Sequence, residues 1–115
     1  MPPDAFARRL FRGAAIYGLL VLPPMYLLAP GDEHLPAYLG FVGLALVFQF
    51  VFWIIGGDPL RYRALMPLAV AEKGVFAIPA LVLFALGRTD PVTAVFATVD
   101  ILLGIGFTVA WRRTA

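Results

Sequence analysis

Cysteine and serine are absent from this 115-residue sequence, and histidine occurs once, at His34. The lack of cysteine excludes disulfides, thiol catalysis, thiolate zinc sites and iron–sulfur ligation. The sequence contains no G-x-S-x-G, H-E-x-x-H or P-loop pattern. A single histidine cannot supply both axial ligands of a bis-histidine haem within one chain. The common hydrolase, nucleotide-binding and redox centres are therefore not expected, and the cofactor, if any, is unknown.

Charged residues are also scarce, at 14% of the chain, whereas hydrophobic residues make up 62%. A small soluble domain leaves much of its surface in water, so it could not bury so large an apolar fraction. We therefore expect the lipid bilayer to cover the surplus of a single domain over residues 1–115. The pI of about 9.4 does not indicate a nucleic-acid partner, because the arginines flank apolar runs, where they act as orientation signals.

Four apolar segments are long enough to cross the hydrocarbon core as helices, which takes about 20 residues each. They cover residues 10–29, 36–55, 64–86 and 91–111. Helices are favoured over strands because the runs are long and show no alternation between lipid-facing and lumen-facing residues. The sequence predicts an all-α fold, a four-helix transmembrane bundle with short loops.

Asp-Pro pairs and internal prolines predict where these helices start and bend. Asp58-Pro59 and Asp90-Pro91 each place a favourable N-cap residue before a proline at the first helical position. A proline inside a helix removes a backbone hydrogen bond and bends the chain. Kinks are therefore expected in the first and third helices, at Pro23-Pro24, Pro67 and Pro79.

Basic residues are distributed unequally between the two sides of the predicted bundle. One side carries Arg8, Arg9, Arg12, Arg61, Arg63, Arg112 and Arg113. The other side carries only Arg88, together with Asp32, Glu33 and Asp90. Because cytoplasmic loops are enriched in lysine and arginine, we expect a multi-pass topology with both termini in the cytoplasm.

Ionisable residues also occur inside the spans, where a charge is costly and usually faces protein or water. Lys73 lies ten residues beyond Arg63, which corresponds to about 15 Å along a helix. Asp100 lies twelve residues before Arg112, or about 18 Å. Both distances start from the arginine-rich side, so the two opposite charges are expected at similar depth on neighbouring antiparallel helices.

Small residues recur at helical spacing around both charges, which would let the third and fourth helices approach closely. The two stripes are Ala69, Lys73, Ala77 and Ala80, and Thr93, Ala97, Asp100, Gly104 and Thr108. Packing these stripes together would pair Lys73 with Asp100. Glu72 points about 100° away, so we expect it to find another partner, Gln49 or Tyr17, or to be protonated.

Together these residues form a candidate intramembrane polar site, which we define as Tyr17, Gln49, Glu72, Lys73 and Asp100. One interpretation is a structural clasp that fixes the register of the helices. The other is a site for a proton, an ion or the polar head of a ligand. Opposite charges at matched depth suit a clasp, whereas the additional carboxyl group of Glu72 favours a site.

Residues near the membrane surface provide weaker candidates. Arg61 and Arg63 could bind anionic lipid headgroups or an acidic partner, but topology marking beside the interfacial aromatic Tyr62 is the favoured explanation. No metal site is expected in the Asp32-Glu33-His34 turn, since three adjacent residues rarely converge on one ion. Several aromatic residues of the second segment could line a groove for a lipophilic ligand, but packing within the protein or contact with lipid is favoured for them: Phe41, Phe48, Phe50, Phe52 and Trp53.

Several short stretches occur together in this chain: Gly18-Leu19-Leu20, Pro23-Pro24-Met25-Tyr26, Asp58-Pro59, Arg61-Tyr62-Arg63, Pro67, Glu72-Lys73, Asp100-Ile101-Leu102-Leu103-Gly104 and Phe107. In them the sequence resembles a group of small, uncharacterised bacterial four-span inner-membrane proteins, loosely DoxX-like in architecture. The resemblance covers most of the chain and carries no known activity. It implies a location in the bacterial inner membrane.

Three functional hypotheses follow for the polar site. The leading one is a non-enzymatic membrane protein that binds a lipophilic small molecule or a partner membrane protein. The alternative is a proton-coupled small transporter that acts as a homodimer, since four helices alone make a narrow core, with Glu72 exchanging protons and substrate. A membrane enzyme acting on a lipid is less favoured, because no nucleophile–base pair is visible in the sequence.

Overall fold

The computed structural model describes residues 4–29 and 31–114, and this part of the chain is almost entirely helical. Its four α-helices are α1 (Ala5–Met25), α2 (Leu35–Gly57), α3 (Met66–Ala85) and α4 (Pro91–Arg113). No strand occurs among the described residues, so the predicted all-helical fold is confirmed. Residues 1–3, 30 and 115 of the predicted 1–115 domain lie outside the described residues.

Three helical segments are long and apolar enough to cross a membrane: Leu35–Gly57, Arg63–Ala85, which includes the 3-10 turn Arg63–Leu65 ahead of α3, and Pro91–Arg113. The helix α1 has 21 residues, a comparable length. Its first half carries Arg8, Arg9 and Arg12, so its composition alone does not mark it as a span.

The end of α1 differs from the predicted first segment, 10–29. The helix stops at Met25, and Pro23 and Pro24 lie in its last turn. Neither proline has an amide hydrogen to donate. Their carbonyl oxygens accept hydrogen bonds of 3.2 and 3.0 Å from the amides of Tyr26 and Leu27, which close tight turns. The Pro23-Pro24 pair therefore lies at the end of the helix and not in the middle of the predicted segment.

The start of α3 also differs from the expectation. Asp58 lies at the carboxyl end of α2, and its Oδ1 accepts a long bond of 3.4 Å from the amide of Arg61 in the following turn. Because α3 starts only at Met66, Pro67 occupies its first turn, where a missing amide hydrogen costs nothing. The helix start at Asp58 and the kink at Pro67 were thus wrong, whereas Pro79 does lie inside α3.

Asp90 begins α4 as its pairing with Pro91 predicted. Its carboxylate accepts a hydrogen bond of 2.7 Å from the backbone amide of Thr93. This bond satisfies one of the amides that have no partner within the helix. It stabilises the charged form, so the amide of Thr93 lowers the pKa of Asp90 below its ordinary value.

Replacing Asp90 with alanine is expected to lower the thermal stability at neutral pH. A carboxylate whose pKa is lower in the folded than in the unfolded chain stabilises fully above its ordinary pKa, and this contribution disappears as the pH falls through the lowered value. The difference in Tm between the wild type and Asp90→Ala should therefore narrow below about pH 4. Asp32→Ala, in an exposed turn, is the control. Equal losses in the two variants would contradict the capping role.

The helices form two antiparallel hairpins. The helix α1 packs along α2, and α3 packs along α4. Contacts between α1 and α4 join the hairpins, whereas α2 and α3 touch over only a short stretch. The bundle is therefore closed on the α1–α4 side and open between α2 and α3.

An aromatic core holds the two hairpins together. The Phe11 ring of α1 stacks on the Phe107 ring of α4, with centroids 4.2 Å apart and planes 8° from parallel. Phe52 of α2 packs against both rings at 6.2 and 5.1 Å. All three side chains are fully buried. Surrounding alanines, among them Ala7 and Ala110, let the backbones approach closely enough for these contacts.

The arginine-rich ends of the helices lie at one end of the bundle. The Arg8 guanidinium donates a hydrogen bond of 2.8 Å to the carbonyl oxygen of Gly57, at the carboxyl end of α2. The Arg63 guanidinium donates one of 3.0 Å to the carbonyl oxygen of Trp111, near the carboxyl end of α4. These bonds place positive charge at helix carboxyl ends, where the helix dipole favours it.

Candidate functional site

The structure brings all five residues of the candidate polar site to the wall of one cavity. This central cavity has a volume of about 260 Å³ and lies between the four helices. Tyr17 comes from α1, Gln49 from α2, Glu72 and Lys73 from α3, and Asp100 from α4. Apolar side chains form most of the remaining wall, including Val21, Leu22, Phe76 and Leu103. Lys73 and Asp100, for which the sequence predicts similar depths, both lie at the level of this cavity.

The stripes of small residues on α3 and α4 explain how Lys73 can lie inside the bundle. Ala77 and Ala80 of α3 are buried against Ala97 of α4, so the two backbones lie close together. Lys73 is only 6% exposed, and its Cβ lies 3.5 Å from the position that a Cβ on Gly104 would occupy. The aliphatic part of Lys73 therefore packs on α4 while its ammonium group reaches the cavity.

The ammonium group of Lys73 contacts two carboxyl groups. Its Nζ lies 3.5 Å from Oδ1 of Asp100, which is the pairing expected from their depths. It also lies 3.6 Å from Oε2 of Glu72. The expectation that Glu72 would use a different partner was wrong. A helical spacing of about 100° separates the Cα–Cβ directions, but the long flexible stem of lysine reaches across that angle.

Gln49 and Gly18 form the contact between α1 and α2 beside the cavity. Gln49 is 2% exposed, and its Nε2 donates a hydrogen bond of 2.8 Å to the carbonyl oxygen of Ala45. Its Oε1 is buried and accepts no hydrogen bond. A Cβ on Gly18 would overlap the side-chain amide of Gln49. Gly18 was not among the predicted site residues, because the sequence does not show which residue of α1 lies opposite Gln49.

Gly18→Ala is therefore expected to lower the free energy of unfolding by about 1–3 kcal/mol, the usual cost of overpacking a close contact. Gln49→Ala removes the atoms that the new methyl group would meet, so the double variant should recover part of the loss. Gly13→Ala is the matched control, because no atom lies within 4 Å of a Cβ added there on the same helix. Thermal unfolding that falls equally at Gly13 and Gly18 would exclude this account.

A second space, the α2–α3 groove, adjoins the cavity. It has a volume of about 580 Å³ and is lined mainly by apolar residues of α2 and α3, such as Leu44, Phe48, Leu68, Val75 and Leu83. Five residues line both spaces: Phe41, Ala45, Glu72, Phe76 and Thr93. The cavity and the groove therefore share part of one wall, which includes the rings of Phe41 and Phe76, with centroids 5.5 Å apart. Glu72 lies at the boundary between the two.

The two arginines proposed to contact lipid headgroups have different surroundings. Arg63 is half-buried, bonds the carbonyl oxygen of Trp111 and lies 4.9 Å from the centre of its ring. Arg61 is exposed, with its guanidinium 5.3 Å from the ring of Tyr62. Arg63 thus ties the start of α3 to the end of α4, whereas Arg61 is exposed, and headgroup binding by either residue stays a prediction.

The cavity is the feature from which a function can be inferred, because it is concave, mostly apolar and carries a few convergent polar groups. Its ionisable groups come from two helices that are held together by close backbone packing, so their positions are fixed by the fold. Comparisons of the chain with protein family models, with curated proteins and with solved structures give no match.

Proposed function

We propose that the chain is a four-span membrane protein in which α1 crosses the bilayer beside α2. Arg8 bonds Gly57 at one end of the pair, and the Tyr38 hydroxyl donates a hydrogen bond of 2.8 Å to the carbonyl oxygen of Met25 at the other. The helix α1 therefore runs beside residues 38–57 of α2, about 29 Å of helix. This length is close to the thickness of the hydrocarbon core.

The arginine-rich end of the bundle faces the cytoplasm in this proposal. The arginines that precede α1, connect α2 to α3 and follow α4 are then all cytoplasmic, as the positive-inside rule requires. Their long side chains can extend to the headgroup region from helix ends that lie at the interface. The resemblance to small bacterial four-span proteins favours the inner membrane as the location.

Within this topology, we propose that the protein is non-enzymatic and binds a lipophilic or amphipathic small molecule in the central cavity. The observation that carries this function is the cavity itself, with an apolar wall, polar groups from all four helices and an apolar groove beside it between α2 and α3. A clasp alone requires only Lys73 and Asp100. It does not explain a second carboxyl group at the boundary of the cavity or an amide oxygen without a partner.

Native mass spectrometry tests this function on protein extracted from its own membrane in a mild detergent. The wild type should carry a reproducible additional mass. Glu72→Gln should lose it, and so should Ala45→Leu, which fills the cavity next to Glu72. Glu33→Gln and Ala37→Leu change exposed residues by the same substitutions and should retain it. A wild type without additional mass, or a mass that persists in both cavity variants, would contradict ligand binding.

A proton-coupled transporter is the second candidate, and the position of Glu72 favours it. This carboxyl group contacts Lys73 but lies at the edge of the cavity, where a substrate from the groove could displace a proton. In liposomes with an imposed pH gradient, Glu72→Gln should abolish uptake of the copurified molecule while the protein still inserts. Normal uptake by this variant would exclude Glu72 as the coupling group.

A further inference from the structure

We propose that the cavity binds the protonated head of an amphipathic amine and that the alkyl chain of this ligand lies in the α2–α3 groove. The inference rests on the proposed binding function. It adds the charge of the ligand, its role as a hydrogen-bond donor and the place of its apolar part.

The first observation is the balance of charge around the cavity. Among the residues that line it, Glu72 and Asp100 carry carboxyl groups, and Lys73 carries the single ammonium group. With all three groups ionised, one negative charge is left without a counter-charge, and either a proton or a cationic ligand would neutralise it. A buried charge without a partner is costly, and a cationic head beside Glu72 and Asp100 would compensate it. An anionic ligand would double the imbalance.

The second observation is independent of charge and concerns hydrogen bonds. Oε1 of Gln49 and Oε2 of Glu72 are both buried, and neither accepts a hydrogen bond. The amide nitrogen of Gln49 is already engaged with Ala45, and Oε2 of Glu72 has only the ion-pair contact of 3.6 Å with Lys73, so the groups without a hydrogen bond are acceptors. A protonated amine is both a hydrogen-bond donor and a cation, so it would satisfy these acceptors once the side chains of Gln49 and Glu72 turn toward the cavity.

The third observation concerns the rest of the ligand. Phe41 and Phe76 line both the cavity and the α2–α3 groove, with ring centroids 5.5 Å apart. The groove beyond them is apolar along much of α3, from Leu68 to Leu83. In the proposed complex, a linear alkyl chain on an amine bound at Glu72, which lines both spaces, lies along this apolar path. Because α2 and α3 touch so little, this path is open to lipid.

A set of three ten-carbon probes tests the charge of the head: decylamine, decanol and decanoate. Each would be titrated at pH 7 against the full chain in lipid nanodiscs, with empty nanodiscs as the blank, and binding would be followed by thermal unfolding. Decylamine should bind about tenfold or more tightly than the other two. Glu72→Gln should weaken decylamine by a similar factor, whereas Glu33→Gln should not change it. If Glu72→Gln does not fold, Asp100→Asn replaces it in the test and should weaken the binding of decylamine by the same factor.

The outcomes separate this inference from the function on which it rests. Preference for decylamine that disappears in Glu72→Gln or Asp100→Asn supports the amine. Equal binding of decanol and decylamine, with both lost in Ala45→Leu, overturns the amine and retains a binding cavity. Failure of decylamine to bind also overturns it, and the copurified mass then decides the binding function separately. Decylamine binding that Ala45→Leu leaves unchanged places the probe outside the cavity and overturns the inference.

Discussion

Lys73→Met is expected to destabilise the bundle more than the neutralisation of either carboxyl group that it contacts. Lys73 is the only cation among the residues that line the cavity, and its side chain is 7% exposed. Its loss would leave Glu72 and Asp100, which both contact the ammonium group of Lys73, without a counter-charge. Breaking a buried ion pair in this way costs about 3–5 kcal/mol. Asp100→Asn and Glu72→Gln should each cost less, because Lys73 keeps one carboxylate in both variants.

Combined variants separate the ion pairs from general damage to the helices. The triple variant with Lys73→Met, Glu72→Gln and Asp100→Asn contains no charge at this level, so it should recover much of the stability that Lys73→Met loses. Unfolding in mixed micelles, followed by circular dichroism, would give the free energies. Arg88→Met, at the exposed far end of the bundle, controls for removal of a basic side chain. Purely additive changes across these variants would exclude the coupling.

The charge network also bears on whether the polar site is a clasp or a binding site. Lys73 and Asp100 bridge α3 and α4, which is the work of a clasp. Glu72 contributes from the same helix as Lys73, so its contact with that lysine joins no further helix. Fixing the register of α3 and α4 therefore does not offset the free-energy cost of burying the carboxyl group of Glu72. A single network can hold two helices and still present one carboxyl group to a ligand.

Much of the helical framework could be predicted because long apolar runs and local caps act within a few residues. The predicted segments 36–55 and 91–111 lie within α2 (Leu35–Gly57) and α4 (Pro91–Arg113). Asp90-Pro91 has both the cap and the proline in the right order, and the helix starts there. Asp58-Pro59 is the same dipeptide, but no helix starts there, because the chain passes through a 3-10 turn before α3 begins. No local sequence pattern distinguishes the two Asp-Pro pairs.

The pairing of Lys73 with Asp100 could be read from the sequence because it depends only on depth and helical face. Arg63 and Arg112 mark the same side of the bundle, and the helical rise per residue converts the number of residues from each of them into a depth. The position of Glu72 could not be read in this way, because it depends on how far the neighbouring lysine side chain bends. The contact of Gly18 could not be read from the sequence either, because the packing of the helices decides which residue of α2 faces α1.

The opening between α2 and α3 could not be predicted for a related reason. A helix in water reveals its buried face through amphipathic periodicity, but α2 is apolar on all sides. Lipid and protein are equally suitable neighbours for such a surface, so the pattern does not say which face is covered. Of the five aromatic residues that were weighed as groove residues, Phe41 and Phe48 line the groove, whereas Phe52 is in the core.

Phe11→Ala is expected to lower the free energy of unfolding by about 3–5 kcal/mol, as is usual when a buried aromatic ring is truncated. Phe11 is fully buried and touches rings of both α2 and α4, so its loss opens a void where the two hairpins meet. Helices in a bilayer associate through van der Waals packing, and lipid cannot reach a void inside the bundle. Phe50→Ala is the matched control, since Phe50 is 55% exposed on α2 and faces the surroundings.

The same measurement distinguishes a packed core from a loose one. Phe11 and Phe107 are stacked at 4.2 Å, so Phe107→Ala should remove part of the same contact. The double variant should then cost less than the sum of the single variants, because the stacking is lost only once. Phe11 does not line the cavity, so Phe11→Ala should leave ligand binding intact under conditions where the protein remains folded. A loss at Phe50 as large as that at Phe11 would mean that the aromatic core does not hold the hairpins together.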